Sequence, residues 1–212
     1  MVNRKVVEKL MRQNNITPAR RRKYKSTTDS RHQYPVAENT VNRKFTVDKP
    51  NEVWVSDITY IETQQGWLYL AVFIDLYSRM VVGWSMAERM TAQLVVDAFE
   101  MGLARRGGEW PKIVHSDRGS QYASDLFREL IAHPDCNQSM SRKGNCWDNA
   151  VAESFFKTLK VELVYRETFE TRTDGQLRIF DYIEIFYNRK RLNSAIGYLT
   201  PEEIELKDKK AA

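Results

Sequence analysis

The sequence predicts an α/β protein in which a mixed sheet is flanked by helices and preceded by a short basic helical arm. Three strand-like segments follow one another after residue 50, and further strands then alternate with helical patterns. That order of elements is typical of a mixed sheet with helices on its faces. Hydrophobic residues make up 42% of the 212 residues, which is enough for a core and excludes a wholly disordered chain.

The first 50 residues are predicted to form a basic N-terminal arm. Apolar residues over Arg4–Gln13 recur at helical spacing and predict a short amphipathic helix. Lys and Arg outnumber Asp and Glu by 13 to 4 in this arm, against 20 to 24 in the remaining 162 residues. Its densest basic run contains Arg20, Arg21, Arg22 and Lys23. Such a run suits counterion release on a DNA backbone, and a solvated tail without a partner is the alternative.

A core domain is predicted over residues 51–205 and a tail over 206–212. β-Branched and aromatic residues predict a strand over Val53–Ile61, and the continuously apolar Trp67–Ile74 is typical of a central strand covered on both faces. A third strand is predicted over Met80–Met86. The later elements are expected to be a helix capped by Thr91, a strand over Lys112–His115, a helix from Ser124, a strand over Asn137–Ser141, a helix from Asp148 and a helix over Leu177–Lys190.

The sequence contains no signal for a membrane or for secretion. It has no run of 18 or more apolar residues, and its first 25 residues carry charges instead of a hydrophobic segment. Cys136 and Cys146, with nine residues between them, fit neither a metal-binding spacing nor a disulfide framework. We therefore expect a cytoplasmic protein with reduced thiols and no membrane partner.

Three carboxylates occupy positions that need an explanation. Asp57 shares a strand face with apolar residues, where an unpartnered carboxylate costs several kcal/mol of desolvation. Asp117 follows a buried strand, at a place where reactive groups are commonly mounted, and Glu153 lies on a helix. Each also has a simpler explanation: backbone donors for Asp57, a turn cap for Asp117 and surface decoration for Glu153.

The helix that carries Glu153 has a polar edge as well as an apolar stripe. At 3.6 residues per turn, Glu153 shares that edge with Lys157 and Lys160, and Asp148 is available as the N-cap. This arrangement favours the interpretation that Glu153 is a metal ligand and that the two lysines beside it contact DNA phosphates. An i,i+4 pair between Glu153 and Lys157 is the alternative. The residues expected to face inward are Val151, Phe155, Leu159 and Leu163.

Several blocks, in a fixed order, carry a resemblance to a known family. They are Trp54–Tyr60, Phe73–Arg79, His115–Tyr122, Ser139–Glu153 and Tyr187–Pro201. In addition, 35 residues lie between Asp117 and Glu153, and Lys160 stands seven positions after the glutamate. With these features the chain resembles the OrfB-type transposases of the insertion-sequence-three family, in the superfamily of DDE transposases and retroviral integrases.

The resemblance implies a ribonuclease-H-like integrase catalytic core in which Asp57, Asp117 and Glu153 bind two Mg²⁺ or Mn²⁺ ions. The implied activity is that of a polynucleotidyl transferase, which cleaves and joins DNA during transposition of a bacterial insertion sequence. Hard oxygen ligands suit Mg²⁺, and two such ions can stabilise both oxygens of a phosphoryl displacement. No covalent protein–DNA intermediate is expected, so Tyr60, Tyr122 and Ser120 are not interpreted as nucleophiles.

The resemblance also implies partners. The DNA ends of the element and a target are the expected substrates, bound by a homo-oligomer that is associated with the nucleoid when it acts. Relatives carry a fuller helix-turn-helix region, of which residues 1–50 are interpreted as a remnant plus a linker, and an upstream-frame protein is a further expected partner. Two alternatives from other classes are a catalytically silent DNA-binding fragment and a ribonuclease-H-like nuclease without strand transfer.

Overall fold

The computed structural model describes residues 3–16 and 32–211. A first helix, α1, spans Arg4–Gln13 as predicted, and none of its residues is buried. The residues from 32 to the first strand pack partly on the core, where Val41 is 3% exposed. No helix of the described ranges is long and apolar enough to cross a membrane.

Five strands form one mixed sheet in the order β3-β2-β1-β4-β5. The β1–β2 and β2–β3 pairs are antiparallel, whereas β1–β4 and β4–β5 are parallel, because helical connections separate the later strands. The strands are β1 (Val53–Thr63), β2 (Gly66–Asp75), β3 (Val81–Ala87), β4 (Ile113–Ser116) and β5 (Asn137–Met140). The predicted α/β fold with a mixed sheet is therefore confirmed.

Helices cover both faces of this sheet. The longest, α2, begins after Thr91, whose side chain accepts a hydrogen bond from the backbone N–H of Leu94. A short 3₁₀ turn at Cys146–Asn149 leads into α5, and π-helical turns at Lys160–Val164 and Tyr182–Tyr187 extend α5 and α6. The remaining bounds are α2 (Ala92–Arg105), α3 (Ser120–Ala123), α4 (Asp125–Leu130), α5 (Ala150–Leu159), α6 (Arg172–Asp181), a 3₁₀ turn at Ser194–Ile196, and α7 (Pro201–Ala211).

Alternation along β1 divides the core into two halves. Val53 and Val55 pack with α5 and α6 on one face, and Trp54 packs with α2 and α4 on the other, since successive strand residues point to opposite sides. The expected inward stripe of α5 is largely confirmed: Phe155, Leu159 and Leu163 are buried, and Val151 is half-buried. On the predicted C-terminal helix, Ile179 and Ile183 are buried, whereas Phe186 is 41% exposed.

A buried ion pair fixes the end of β2. The carboxylate of Asp75 accepts hydrogen bonds from the backbone N–H groups of Asn51 and Tyr77. It also binds Arg106, whose guanidinium reaches Glu205 of α7. These contacts join the sheet, the end of α2 and α7, a helix that was not among those predicted.

Candidate functional site

Asp57 and Asp117 reach the same end of the parallel β1–β4 pair. Val55 of β1 is in register with His115 of β4, so each aspartate stands two residues further along its own chain. Asp57 Oδ1 accepts a hydrogen bond from the N–H of Ile58 at 2.8 Å. Asp117 Oδ1 accepts one from the N–H of Gly119 at 2.9 Å, in the loop after β4. The fold therefore brings together two carboxylates that are 60 positions apart in the sequence.

Glu153 is carried to these aspartates by α5, and the start of that helix is tied to both strands. Asn149 donates from its side chain to the carbonyl oxygen of Ser56, the residue before Asp57, at 2.9 Å. The carbonyl oxygen of Asp148 lies 2.9 Å from Nε2 of His115, two residues before Asp117. The three carboxylates, called the acid cluster below, thus lie where β1, β4 and α5 meet.

The acid cluster is electrostatically unfavourable. Burial raises the pKa of Asp57 well above its ordinary value, the negative charge of Asp117 raises it further, and Glu153 adds to the effect. Burial and the charge of Asp117 also raise the pKa of Glu153. The negative charges of the three carboxylates therefore repel one another, and a nearby cation would reduce that repulsion.

The chemistry of this donor set fits a divalent ion, although the side chains are not arranged as a finished cage. Across residues 3–16 and 32–211, no group of three or more His, Cys, Asp or Glu side chains is placed to hold a metal ion. Carboxylate oxygens are the ligands that Mg²⁺ prefers, and Mg²⁺ retains several waters instead of requiring a cage made wholly of protein. Mutual repulsion of partly buried carboxylates is relieved by such an ion.

Asp148 has a role that the sequence did not indicate. The prediction that it caps α5 is wrong: the N-cap is Asn149, and its side chain makes no capping bond. The carboxylate of Asp148 is instead fully buried and accepts hydrogen bonds from Arg142, Arg43 and Asn39. Those partners come from the loop before α5 and from the segment before β1, so no local sequence pattern could indicate them.

The predicted DNA-contacting cations lie in different settings. Lys157 is exposed, whereas Lys160 is half-buried, with its ammonium 4.9 Å from the centre of the Tyr60 ring. The charge of Lys160 acts on Asp57 and opposes the rise of that carboxyl's pKa. Lys160 and Tyr60 also line a cleft of about 510 Å³. The basic run Arg20, Arg21, Arg22 and Lys23 lies outside the described residues.

Two neighbouring polar residues have structural roles. Tyr122 is 1% exposed, its hydroxyl lies 2.7 Å from Oγ of Ser56, and burial raises its pKa well above the ordinary value. His115 is fully buried between Ser139 and the backbone of Asp148, where its ring connects β4 to β5 and to the turn before α5. Neither residue is free to attack a phosphate.

Solved structures identify the fold. The chain matches a simian T-cell lymphotropic virus intasome, in complex with PP2A regulatory subunit B56 gamma, with a TM-score of 0.62 and 18% identity over 84% of this chain and 60% of that one. It matches the magnesium-bound HTLV-2 integrase catalytic core domain, in its dimeric form, with a TM-score of 0.52 and 18% identity over 73% of this chain and 96% of that one. The fold is therefore that of the ribonuclease-H-like integrase catalytic cores.

Sequence comparison identifies the family. Two models described as integrase core domain match residues 47–146 and 153–207. The transposase InsF of insertion sequence IS3fB from Escherichia coli (strain K12) is 46% identical over 203 residues, which cover 96% of this chain and 70% of the relative. The chain belongs to the IS3 family of DDE transposases, which are polynucleotidyl transferases. A silent DNA-binding fragment and a nuclease without strand transfer are not favoured by these matches.

Proposed function

We propose that this chain cleaves the DNA ends of its own insertion sequence and joins them to a target, with Asp57, Asp117 and Glu153 as the catalytic residues. The observation that carries the proposal is the convergence of these three residues, from β1, the loop after β4 and α5, into one mutually repelling group. Water is the nucleophile of the cleavage step, and the freed 3′-hydroxyl is the nucleophile of strand transfer.

The acid cluster is proposed to hold two Mg²⁺ or Mn²⁺ ions. Two bound ions would supply the positive charge that stabilises the attacking and leaving oxygens of an in-line displacement. Asp57 and Asp117 present carboxylates from the strand ends, and Glu153 adds a third from α5. Burial and the charge of Asp117 raise the pKa values of Asp57 and Glu153, and perturbed carboxylates of this kind are often found at functional sites, which supports this assignment.

Lysines and the basic arm are proposed to bind the DNA backbone. Lys157 is exposed one turn beyond Glu153, and Lys160 lines the cleft while its charge acts on the carboxyl of Asp57. The run Arg20, Arg21, Arg22 and Lys23 supplies nonspecific phosphate contacts. The active form is proposed to be a homo-oligomer on DNA, with an upstream-frame protein as a further partner in recognition of the ends.

The test is nicking and strand transfer on DNA that carries the ends of the element, with Mn²⁺ present. Wild type is compared with Asp57→Asn, Asp117→Asn and Glu153→Gln, which remove one negative charge at nearly constant volume. The matched controls are Asp125→Asn and Glu100→Gln, which change exposed carboxylates on α4 and α2. Loss of both reactions in the three cluster variants alone supports the proposal, and wild-type activity in all of them overturns it.

A further inference from the structure

Two arginines stand together at the surface beside the acid cluster. Arg43 Nε and Arg142 Nη2 both donate to Oδ1 of Asp148, each at 2.8 Å. The side chain of Asp148 is 0% exposed, whereas those of Arg43 and Arg142 are 46% and 48% exposed. One buried carboxylate therefore holds two guanidinium groups, called the arginine pair below, against each other at the edge of the protein.

The buried carboxylate orients the arginine pair without neutralising it. The group of three carries one negative and two positive charges. Arg142 also donates from Nε to Oδ2 at 2.8 Å, and both arginines thus turn their Nε edges inward. Among the described residues, the two terminal nitrogens of Arg43 form no hydrogen bond. Of the two terminal nitrogens of Arg142, only Nη2 forms one, to Asp148. Several N–H donors on two adjacent cations are left facing solvent.

The arginine pair is fixed next to the reacting centre. The backbone of Asp148 contacts His115, two residues before Asp117, and the following residue, Asn149, binds the backbone of Ser56, one residue before Asp57. Arg118 Nε also donates to the carbonyl oxygen of Ser141, immediately before Arg142, at 2.6 Å. The loop that carries Arg142 is therefore held against β1, β4 and the loop of Asp117.

We infer that Arg43 and Arg142 form a binding site for a backbone phosphate of the DNA strand that crosses the acid cluster. Guanidinium groups with free outer edges bind phosphate oxygens through paired N–H donors, and a fixed orientation reduces the entropy lost on binding. Because two guanidinium groups share one buried carboxylate, an external anion would also neutralise the positive charge that remains. The inference rests on the proposed function only in that the ligand is DNA.

The test measures the affinity for a random-sequence DNA duplex in EDTA as a function of salt, so that no cleavage occurs. Each phosphate contact contributes about 0.9 to the slope of log affinity against log salt concentration. Arg43→Gln combined with Arg142→Gln is expected to reduce that slope by about 0.9, because the two side chains share one phosphate. The matched control is Arg128→Gln combined with Arg178→Gln, which removes the same charge from arginines that are 38% and 48% exposed elsewhere.

A triple variant separates the loss of phosphate binding from a loss of folding. Removing both arginines leaves the buried carboxylate of Asp148 unpaired, whereas adding Asp148→Asn removes that charge as well. The triple variant is expected to show the same loss of slope as the double variant while the control keeps the wild-type slope. A wild-type slope in the triple variant, or an equal loss in the control, overturns the inference. Either result leaves the proposed function intact, because that function is tested by cleavage in the acid-cluster variants.

Discussion

Arg142 surrounds the carboxylate of Asp148 with three of its nitrogen atoms. Its backbone N–H and its Nε donate to Oδ2 at 3.0 and 2.8 Å, and Nη2 donates to Oδ1 at 2.8 Å. The two residues are the ends of the loop that precedes α5. This chelate closes the loop on itself and sets the position from which α5 carries Glu153 to the two aspartates.

The first prediction concerns the pH dependence of stability. The side-chain hydrogen bonds of Arg142 hold the pKa of Asp148 well below its ordinary value. A lowered pKa stabilises the fold above the unfolded value of about 3.9, and that stabilisation is lost as the pH falls through the folded value. Asp148→Asn is therefore expected to lower the free energy of unfolding at pH 7, measured by denaturant titration, and the difference from wild type should shrink below about pH 4. A difference that is constant between pH 7 and pH 3 contradicts this explanation.

The second prediction concerns the buried ion pair at the end of β2. Arg106→Met removes the cation that pairs with the buried carboxylate of Asp75 and also contacts Glu205. We expect a loss of about 3–5 kcal/mol in the free energy of unfolding. Arg128→Met, which breaks an exposed pair with Asp125, serves as the control and should cost at most about 1 kcal/mol. Equal losses in the two variants would show that Arg106 stabilises the fold no more than a surface ion pair does.

The third prediction concerns Tyr122. Tyr122→Phe removes a hydroxyl that lies 2.7 Å from Ser56 Oγ, and a buried polar group left without its partner costs about 1–3 kcal/mol. DNA cleavage should continue in this variant, since the phenol is buried and is not a nucleophile. The measurement is nicking at a temperature well below the unfolding midpoint. The prediction is contradicted if wild type forms a covalent protein–DNA adduct and the variant does not.

The fourth prediction concerns the metal. Because a carboxylate must be ionised to bind the ion, and burial and Asp117 raise the pKa of Asp57, affinity for Mn²⁺ should fall as the pH is lowered. At 100 times its dissociation constant, Mn²⁺ should stabilise wild type by about 2.7 kcal/mol. Asp57→Asn should lose this gain, as measured by thermal unfolding with and without Mn²⁺. Equal stabilisation of both proteins would place the ion elsewhere.

The fifth prediction concerns the lysines that follow Glu153. Lys157→Gln should lower the salt dependence of DNA binding by about 0.9 in log–log slope, since this lysine is exposed. Lys160→Gln should in addition raise the pKa of Asp57, because it removes a cation that acts on that carboxyl. The pH profile of cleavage should therefore move to higher pH in Lys160→Gln and stay unchanged in Lys157→Gln. Identical profiles in the two variants contradict the assigned role of Lys160.

Local patterns were enough to predict most of the sheet. The alternating, β-branched segment from Val53 predicts β1, which runs two residues further than expected, to Thr63. A capping signal for α7 was also present in the sequence and was missed. Thr200 precedes the helix and Glu203 lies in its first turn, and the side chain of each accepts a hydrogen bond from the backbone N–H of the other, which is a capping box. Its sequence could have indicated this helix.

The surroundings of the acid cluster could not be predicted in the same way. The resemblance assigned the three acids, but Arg43 and Arg142 are 105 and 6 positions from Asp148, and nothing local to Arg43 indicates the contact. Asp148 sits where an N-cap is expected, so local chemistry favoured the wrong role. Only the packed structure shows that a buried carboxylate needs these partners.

The hydrogen bonds from Asn39 and Arg43 to Asp148 span 109 and 105 positions of the chain. On the ribosome, the hairpins of β1, β2 and β3 emerge first and involve neighbouring segments, whereas this connection has to wait until the loop before α5 has been synthesised. Contacts between such distant segments form late and slowly. A growing polypeptide therefore has the antiparallel pairs of β1, β2 and β3 before the loop that anchors α5 and Glu153 is in place.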